Sequence, residues 1–280
     1  MNALEIKNLT KSYPGYRLDN LTLTLPSGCI MGLIGENGAG KSTTIKLILD
    51  MIRKDSGTVT ILGKDNTESI ELIKEDIGVV LDEVGIPECL TVEQVHSVMK
   101  HTFRRWDEAE FRRLITEFAL PHKKQFKDFS RGMKMKLGIA IALSHHAKLL
   151  ILDEATSGLD PVVRDEVVDM LYDFTRAEDH SILISSHIVS DLEKLCDYIA
   201  FIHKGKLLLC EEKDQLLSEY GIIHCSAEEY QLLPGDAVKY RKQNPYGVDV
   251  IVKRSAVPVG MRVSPISIEE LFVYMVKEAR

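Results

Sequence analysis

Apolar and polar residues alternate with period two over residues 3–9 (Ala-Leu-Glu-Ile-Lys-Asn-Leu) and 20–25 (Asn-Leu-Thr-Leu-Thr-Leu), and a short run at 58–62 is bounded by Gly57 and Gly63. Alternation of this kind turns one face of a strand toward a core and the other toward water, so the N-terminal segment is predicted to be antiparallel β-structure. A different pattern follows. Residues 29–34, 149–152, 182–184 and 199–202 are continuously apolar, as parallel strands covered by helices on both faces must be. Helical periodicity falls between them at 43–52, 160–177 and 188–196, which gives an α/β alternation. Residues 91–145 carry no convincing strand and read as a mostly helical insertion, so a helical subdomain is placed at about 85–145.

After about residue 215 the pattern changes. Asp214–Tyr220 predicts a short helix stopped by Gly221, and strand-like runs at 238–242 and 248–253 flank the turn Asn244-Pro245-Tyr246-Gly247. Ser267-Ile268-Glu269-Glu270 opens a last helix with a capping-box pattern ahead of Leu271, Phe272 and Met275. The expected division is therefore one large domain over 1–215 and a small accessory α+β domain over 216–280. No internal repeat, heptad array or low-complexity segment breaks this plan.

Composition narrows the class. At 280 residues and 45% hydrophobic the chain can bury a substantial core. Its most apolar stretch, 137–152, is broken by Ser144, His145, His146 and Lys148, short of the roughly 18 to 20 apolar residues needed to cross a bilayer. Met1–Lys11 alternates where a signal peptide would carry a basic start and an apolar run, so a cytoplasmic location is expected. Five widely spaced cysteines include no Cys-x-x-Cys pair, and the only clustered histidines are His145-His146, so neither disulfides nor a transition metal is expected. A net charge of −7 argues against nucleic acid as a partner. The basic pairs Arg104-Arg105 and Arg112-Arg113 are interleaved with Asp107, Glu108, Glu110 and Glu117, as on a solvated helix face.

One segment carries specific chemistry. Gly35-Glu36-Asn37-Gly38-Ala39-Gly40-Lys41-Ser42 fits G-x-x-x-x-G-K-[ST] and stands between an apolar strand and a helical pattern. Its glycines let backbone N–H groups approach phosphate closely, and the following helix points its positive end at the same anion. The candidate nucleotide-binding positions are Gly35, Asn37, Gly38, Ala39, Gly40, Lys41, Ser42 and Thr43. Lys41 would reach the β and γ oxygens of ATP, and the Ser42 hydroxyl would be a ligand of Mg²⁺. Leu149-Leu150-Ile151-Leu152-Asp153-Glu154 supplies the acidic element: a buried strand ending in two carboxylates. Asp153 is expected on the Mg²⁺ side, and Glu154 is expected to act as the general base that polarises the attacking water.

Beyond these, the chain resembles the ABC ATPases. Phe129-Ser130-Arg131-Gly132-Met133 stands where that family carries its Leu-Ser-Gly-Gly-Gln signature. Ala155-Thr156-Ser157-Gly158-Leu159-Asp160-Pro161 resembles the D-loop, and Ser185-Ser186-His187 resembles the switch histidine. The resemblance spans residues 3 to about 210 and implies a P-loop NTPase core with a parallel sheet, an N-terminal antiparallel β subdomain and a helical subdomain. It further implies a head-to-tail dimer, with an identical chain as the expected second subunit. There Ser130 and the Gly132 amide would meet the γ-phosphate in trans, Asp160 would lie in the D-loop, and His187 would hold the γ-phosphate and the attacking water. The family's adenine-stacking aromatic corresponds to Tyr13, with Tyr16 as the competing candidate.

Two departures stand out. Arg131 and Met133 replace the signature's usual glycine and glutamine, and Asp82, in Ile77-Gly78-Val79-Val80-Leu81-Asp82-Glu83, replaces the Q-loop glutamine that would touch Mg²⁺. Asp82 keeps an oxygen for a cation but has no amide donor. A single nucleotide domain with this tail is similar to the ATPase subunits of bacterial exporters for drugs or antimicrobial peptides, whose transmembrane permease is a separate chain. The resemblance then implies peripheral attachment at the cytoplasmic face of the membrane. An importer ATPase, an ABC ATPase acting on ribosomes or DNA, and a nucleotide kinase are the alternatives.

Overall fold

In the computed structural model, residues 1–68, 70–235, 237–258 and 260–279 are described. The chain divides into two units, Met1–Leu209 and Cys210–Arg280. The first opens with β1 (Asn2–Tyr13), β2 (Tyr16–Pro26), β3 (Ile30–Ile34), α1 (Lys41–Ile48), β4 (Ser56–Ile61), β5 (Lys64–Asp65), α2 (Ile70–Ile73) and β6 (Ile77–Val80). Three helices follow, α3 (Val92–Thr102), α4 (Glu108–Glu117) and α5 (Arg131–Leu143). The remainder is β7 (Leu149–Asp153), α6 (Pro161–Phe174), β8 (Ser181–Ser186), α7 (Val189–Leu195) and β9 (Tyr198–His203), and β10 (Lys206–Glu212) begins in this unit and runs past its last residue.

The alternating segments form an antiparallel sheet in the order β2-β1-β4-β5. Leu4, Ile6 and Leu9 of β1 and Leu21, Leu23 and Leu25 of β2 are buried, while Glu5, Lys7 and Thr22 point away from the core. The continuously apolar segments form the second sheet, in the order β10-β9-β3-β8-β7-β6. Within it β3 pairs in parallel with β8 and β9, and β7 pairs in parallel with β6 and β8. Every residue of β3, β7 and β8 is buried, which is why these strands show no alternation. With β8 between β3 and β7, the carboxyl ends of three neighbouring strands open onto one place, where α/β sheets bind ligands.

Residues 91–145 are mostly helical, with local signals that account for each α-helix start. Thr91 caps α3 in a capping box with Gln94, Asp107 caps α4 and Ser130 caps α5. Their apolar faces close on one cluster that includes Phe111, Leu114, Ile115, Phe126, Phe129 and Leu137. This cluster is what fixes the position of the loop leading into α5.

The second unit contains α8 (Lys213–Glu219), β11 (Tyr220–Cys225), α9 (Ala227–Tyr230), β12 (Val238–Asn244), β13 (Gly247–Lys253) and α10 (Ile268–Glu278). Its sheet runs β11-β13-β12 around Ile223, Val248, Val250 and Val252. Gly221 is not the helix stop expected from sequence. It lies inside β11, paired with Val252, and a Cβ there would come 2.4 Å from Val263 Cγ1 and 2.9 Å from the Ser264 carbonyl oxygen. Close approach of the 263–264 segment is therefore what requires glycine. Ser267 caps α10 and Glu270 returns the second bond of a capping box.

Candidate functional site

The loop from β3 to α1 is shaped by two glycines with positive φ, Gly38 at 79° and Gly40 at 120°. A Cβ at Gly40 would lie 2.2 Å from Tyr16 Oη, so only glycine fits that closely packed turn. Space around Gly38 is open on the other side, with nothing within 4 Å of a Cβ built there. Burial raises the Tyr16 phenol pKa, which keeps it protonated, and its hydroxyl donates to the Ala39 carbonyl at 3.3 Å. Gly40→Ala is expected to lower the melting temperature and weaken nucleotide binding by at least about tenfold, because the loop must shift to admit the methyl group. Calorimetric melting and nucleotide titration check both effects.

Lys41, the first residue of α1, is almost fully buried. Its ammonium donates to the Gly35 carbonyl oxygen at 2.8 Å and lies 3.2 Å from Glu154 Oε1. The Glu154 side chain is 13% exposed, so this is a nearly desolvated ion pair. The second carboxylate oxygen, Oε2, is 2.7 Å from His187 Nδ1 and accepts from the His187 backbone N–H at 3.4 Å. One carboxylate thus spans the lysine of the phosphate loop and the histidine beyond β8.

Glu154 leaves β7 with φ of 54°, a left-handed conformation that costs a non-glycine residue roughly 1–3 kcal/mol. Two bonds hold it there, since its N–H is 3.1 Å from both the carbonyl and the hydroxyl oxygen of Ser185. The same hydroxyl donates to buried Asp153 Oδ1 at 2.6 Å. Ser185 therefore holds the Asp153 carboxylate and the Glu154 backbone to the neighbouring strand.

An open cavity of about 630 Å³ is lined by Asn37, Gly38, Gly40, Lys41, Ser42, Thr43, Asp82, Glu154 and His187, within the ~300–1,000 Å³ usual for small-molecule sites. Tyr16, Glu36, Arg131 and Ser157 complete its wall. Gly35 and Ala39 lie behind the loop, and Asp153 lies behind Glu154. Tyr13 is outside the lining, 42% exposed, with its ring centroid 6.5 Å from that of Tyr16. Ser130, Gly132 and Asp160 do not line the cavity. Ser130 caps α5 by accepting from the Met133 N–H, and Asp160 caps α6 by accepting from the Val163 N–H. A Cβ at Gly132 would sit 3.3 Å from Val163 Cγ1, so the two capped helix starts are packed together. Sequence reasoning passed over Ser185 as a site residue, although a polar residue closing the apolar run 182–184 was a visible signal. Arg131 stood out only as a departure from the signature pattern, and Ser157 only as part of the segment that resembles the D-loop.

The sequence profile described as ABC transporter matches residues 18–157, from β2 through the phosphate loop to Asp153 at the end of β7 and Glu154 just after it. The chain belongs to the ABC transporter family. The lantibiotic transport ATP-binding protein SrtF of Streptococcus pyogenes is 40% identical over 215 residues, covering 75% of this chain and 91% of that protein. The bacitracin transport ATP-binding protein BcrA of Bacillus licheniformis is 36% identical over 208 residues, covering 73% and 68%. A solved ATP-binding subunit of an ABC transporter superposes with a TM-score of 0.70 at 29% identity, over 76% of this chain and 91% of that one. Within the ABC family this chain is an ATP-binding subunit, an ATPase coupled to transport. Among its described residues no helix is long and apolar enough to cross a membrane.

Proposed function

We propose that this ABC ATPase drives a separate transmembrane permease that exports an antimicrobial peptide or drug, by ATP-dependent closure of a homodimer at the cytoplasmic face of the membrane. The observation that carries the chemistry is the Glu154 carboxylate held between Lys41 and His187 at the mouth of a glycine-rich cavity. The 40% identity to a lantibiotic transport subunit and the 36% identity to a bacitracin transport subunit support the exporter class.

In this account Asn37, Gly38, Gly40, Ser42 and Thr43 cradle the phosphates with backbone amides and hydroxyls, and Lys41 neutralises the β and γ oxygens. Lys41 already holds an anion, the Glu154 carboxylate, so triphosphate entry exchanges one anion for another at its ammonium. Glu154 is then free to turn to water while His187 retains its other oxygen. Polarisation of that water by Glu154, with His187 steadying the γ-phosphate, leads to cleavage.

The donor set suits Mg²⁺. Among the described residues no group of three or more His, Cys, Asp or Glu could hold a metal. One hydroxyl at Ser42 and the carboxylate of Asp153 are the sparse oxygen set that Mg²⁺ accepts when phosphates and water supply the rest, while Asp82, paired with Arg131, stands across the cavity. Bound there, the ion would neutralise charge on the phosphate oxygens.

Ser130 and the Gly132 amide, at the positive end of α5, would meet the γ-phosphate held by the other copy, with Asp160 alongside at the start of α6. Tyr13 offers an exposed ring for adenine, whereas Tyr16 is pinned against the loop by its bond to Ala39. Tyr13→Ala is expected to raise the KM for ATP roughly tenfold with little change in kcat, since one stacking contact contributes about 1–3 kcal/mol. The KM for GTP should rise by a similar factor, because every base has a π-face. An unchanged KM would return the stacking role to Tyr16.

The direct test is reconstitution with the permease found by co-purification. Everted vesicles should accumulate labelled lantibiotic or bacitracin only with ATP and parent subunit. ATP-dependent uptake in right-side-out vesicles would make the complex an importer, and co-purification with ribosomes in place of a membrane protein would remove the transporter assignment.

A further inference from the structure

Asp82 follows β6 and Arg131 opens α5, 49 residues apart, yet the Arg131 guanidinium donates from Nη2 to Asp82 Oδ1. Both residues line the phosphate cavity, and both also line a second cavity beneath the helical subdomain, beside Glu83, Val84, Ile86 and Phe126. The pair is a wall common to the two. Arg131 is also packed against the loop after Glu154, since a Cβ at Gly158 would lie 3.2 Å from its Nη1 and 3.3 Å from its Cδ and Cζ. Three segments, the end of β6, the start of α5 and the loop after β7, therefore meet on one side chain.

The two side chains are 48% and 51% exposed, so the pair adds little to folding stability. Its consequence lies in the cavity. An unpaired carboxylate facing a triphosphate repels it, and a carboxylate has no hydrogen to donate. A guanidinium cancels that charge and presents a fixed fork of N–H donors at the same spot. We propose that Arg131 is a positioning residue of the nucleotide site that acts through Asp82: the two departures from the family pattern are one device, in which Arg131 neutralises Asp82 and restores the donors that a glutamine at position 82 would have carried. This rests on the cavity being the ATP site.

The experiment is a double-mutant cycle on the full chain, read by calorimetric titration of AMP-PNP with Mg²⁺ and by steady-state ATPase kinetics, with melting curves to confirm folding. R131A is expected to weaken AMP-PNP binding and raise KM by about tenfold, with kcat within about threefold, as an uncompensated charge near an anion requires. R131K should recover most of the loss. D82Q alone should change affinity by less than about threefold, and D82Q/R131A should return to within about threefold of the parent, because removing both charges removes the repulsion. If R131A costs as much in the D82Q background as in the parent, or nothing in either, Arg131 does not act through Asp82 and the proposal fails. K41A is the control for the cavity: if it too leaves AMP-PNP affinity unchanged, the ATP site lies elsewhere and both assignments fall.

Discussion

Glu154→Gln should bind ATP at least as tightly as the parent and hydrolyse it at least about 100-fold more slowly, since a positioned general base contributes roughly 10²–10⁴ in rate. Glutamine has nearly the shape of glutamate and can keep a hydrogen bond to His187. It cannot polarise water as a base, and it no longer neutralises Lys41, which sits 3.2 Å from Glu154 Oε1 in the parent. Freed of that competitor, Lys41 is more available to the γ-phosphate. The variant should therefore accumulate as an ATP-bound dimer, visible as a doubling of mass by size-exclusion chromatography with light scattering in Mg-ATP. Phosphate release at the parent rate would show that another group activates the water.

Ser130→Arg should separate binding from closure. Ser130 is not part of the cavity lined by Lys41 and Glu154, so AMP-PNP titration at low protein concentration should give the parent affinity. The substitution places a long cation on the surface expected to receive the other copy's γ-phosphate. Dimer formation in Mg-ATP should disappear and turnover should fall by about 100-fold, comparable to loss of a pre-organised anion contact. The Ser130 hydroxyl also caps α5, and loss of a cap costs about 0.5–2 kcal/mol, so Ser130→Ala is the necessary companion. Ser130→Ala should lower the melting temperature as Ser130→Arg does, yet still dimerise weakly. Full turnover in Ser130→Arg would mean that no signature loop covers the nucleotide in trans.

Much of the architecture was legible because the controlling signals are local. Full burial of β3, β7 and β8 removes alternation, which marks parallel strands directly in the residue order. The cap residue Ser267 acts on an N–H group three positions ahead, within the window a sequence pattern can see. Where a neighbour distant in sequence decided the outcome, the local pattern misled. Gly221 resembles a helix stop, but the 263–264 segment lying against it keeps it in a strand. The four-residue β6 was too short to stand out, and it exists because β7 offers a partner in parallel register.

The same division holds at the functional site. Glycine spacing, the lysine and the paired acids pointed by themselves to nucleotide phosphates, because backbone φ and helix polarity are properties of consecutive residues, and the resemblance of residues 129–133, 155–161 and 185–187 to the ABC ATPases supplied the family. Only the tertiary structure decided which charges meet. It brought Glu154 between Lys41 and His187, put Ser185 on the Asp153 carboxylate and the Glu154 backbone, and joined Arg131 to Asp82 across the wall of two cavities. Electrostatic interaction depends on distance in space and on exclusion of water, and neither is written in the order of residues.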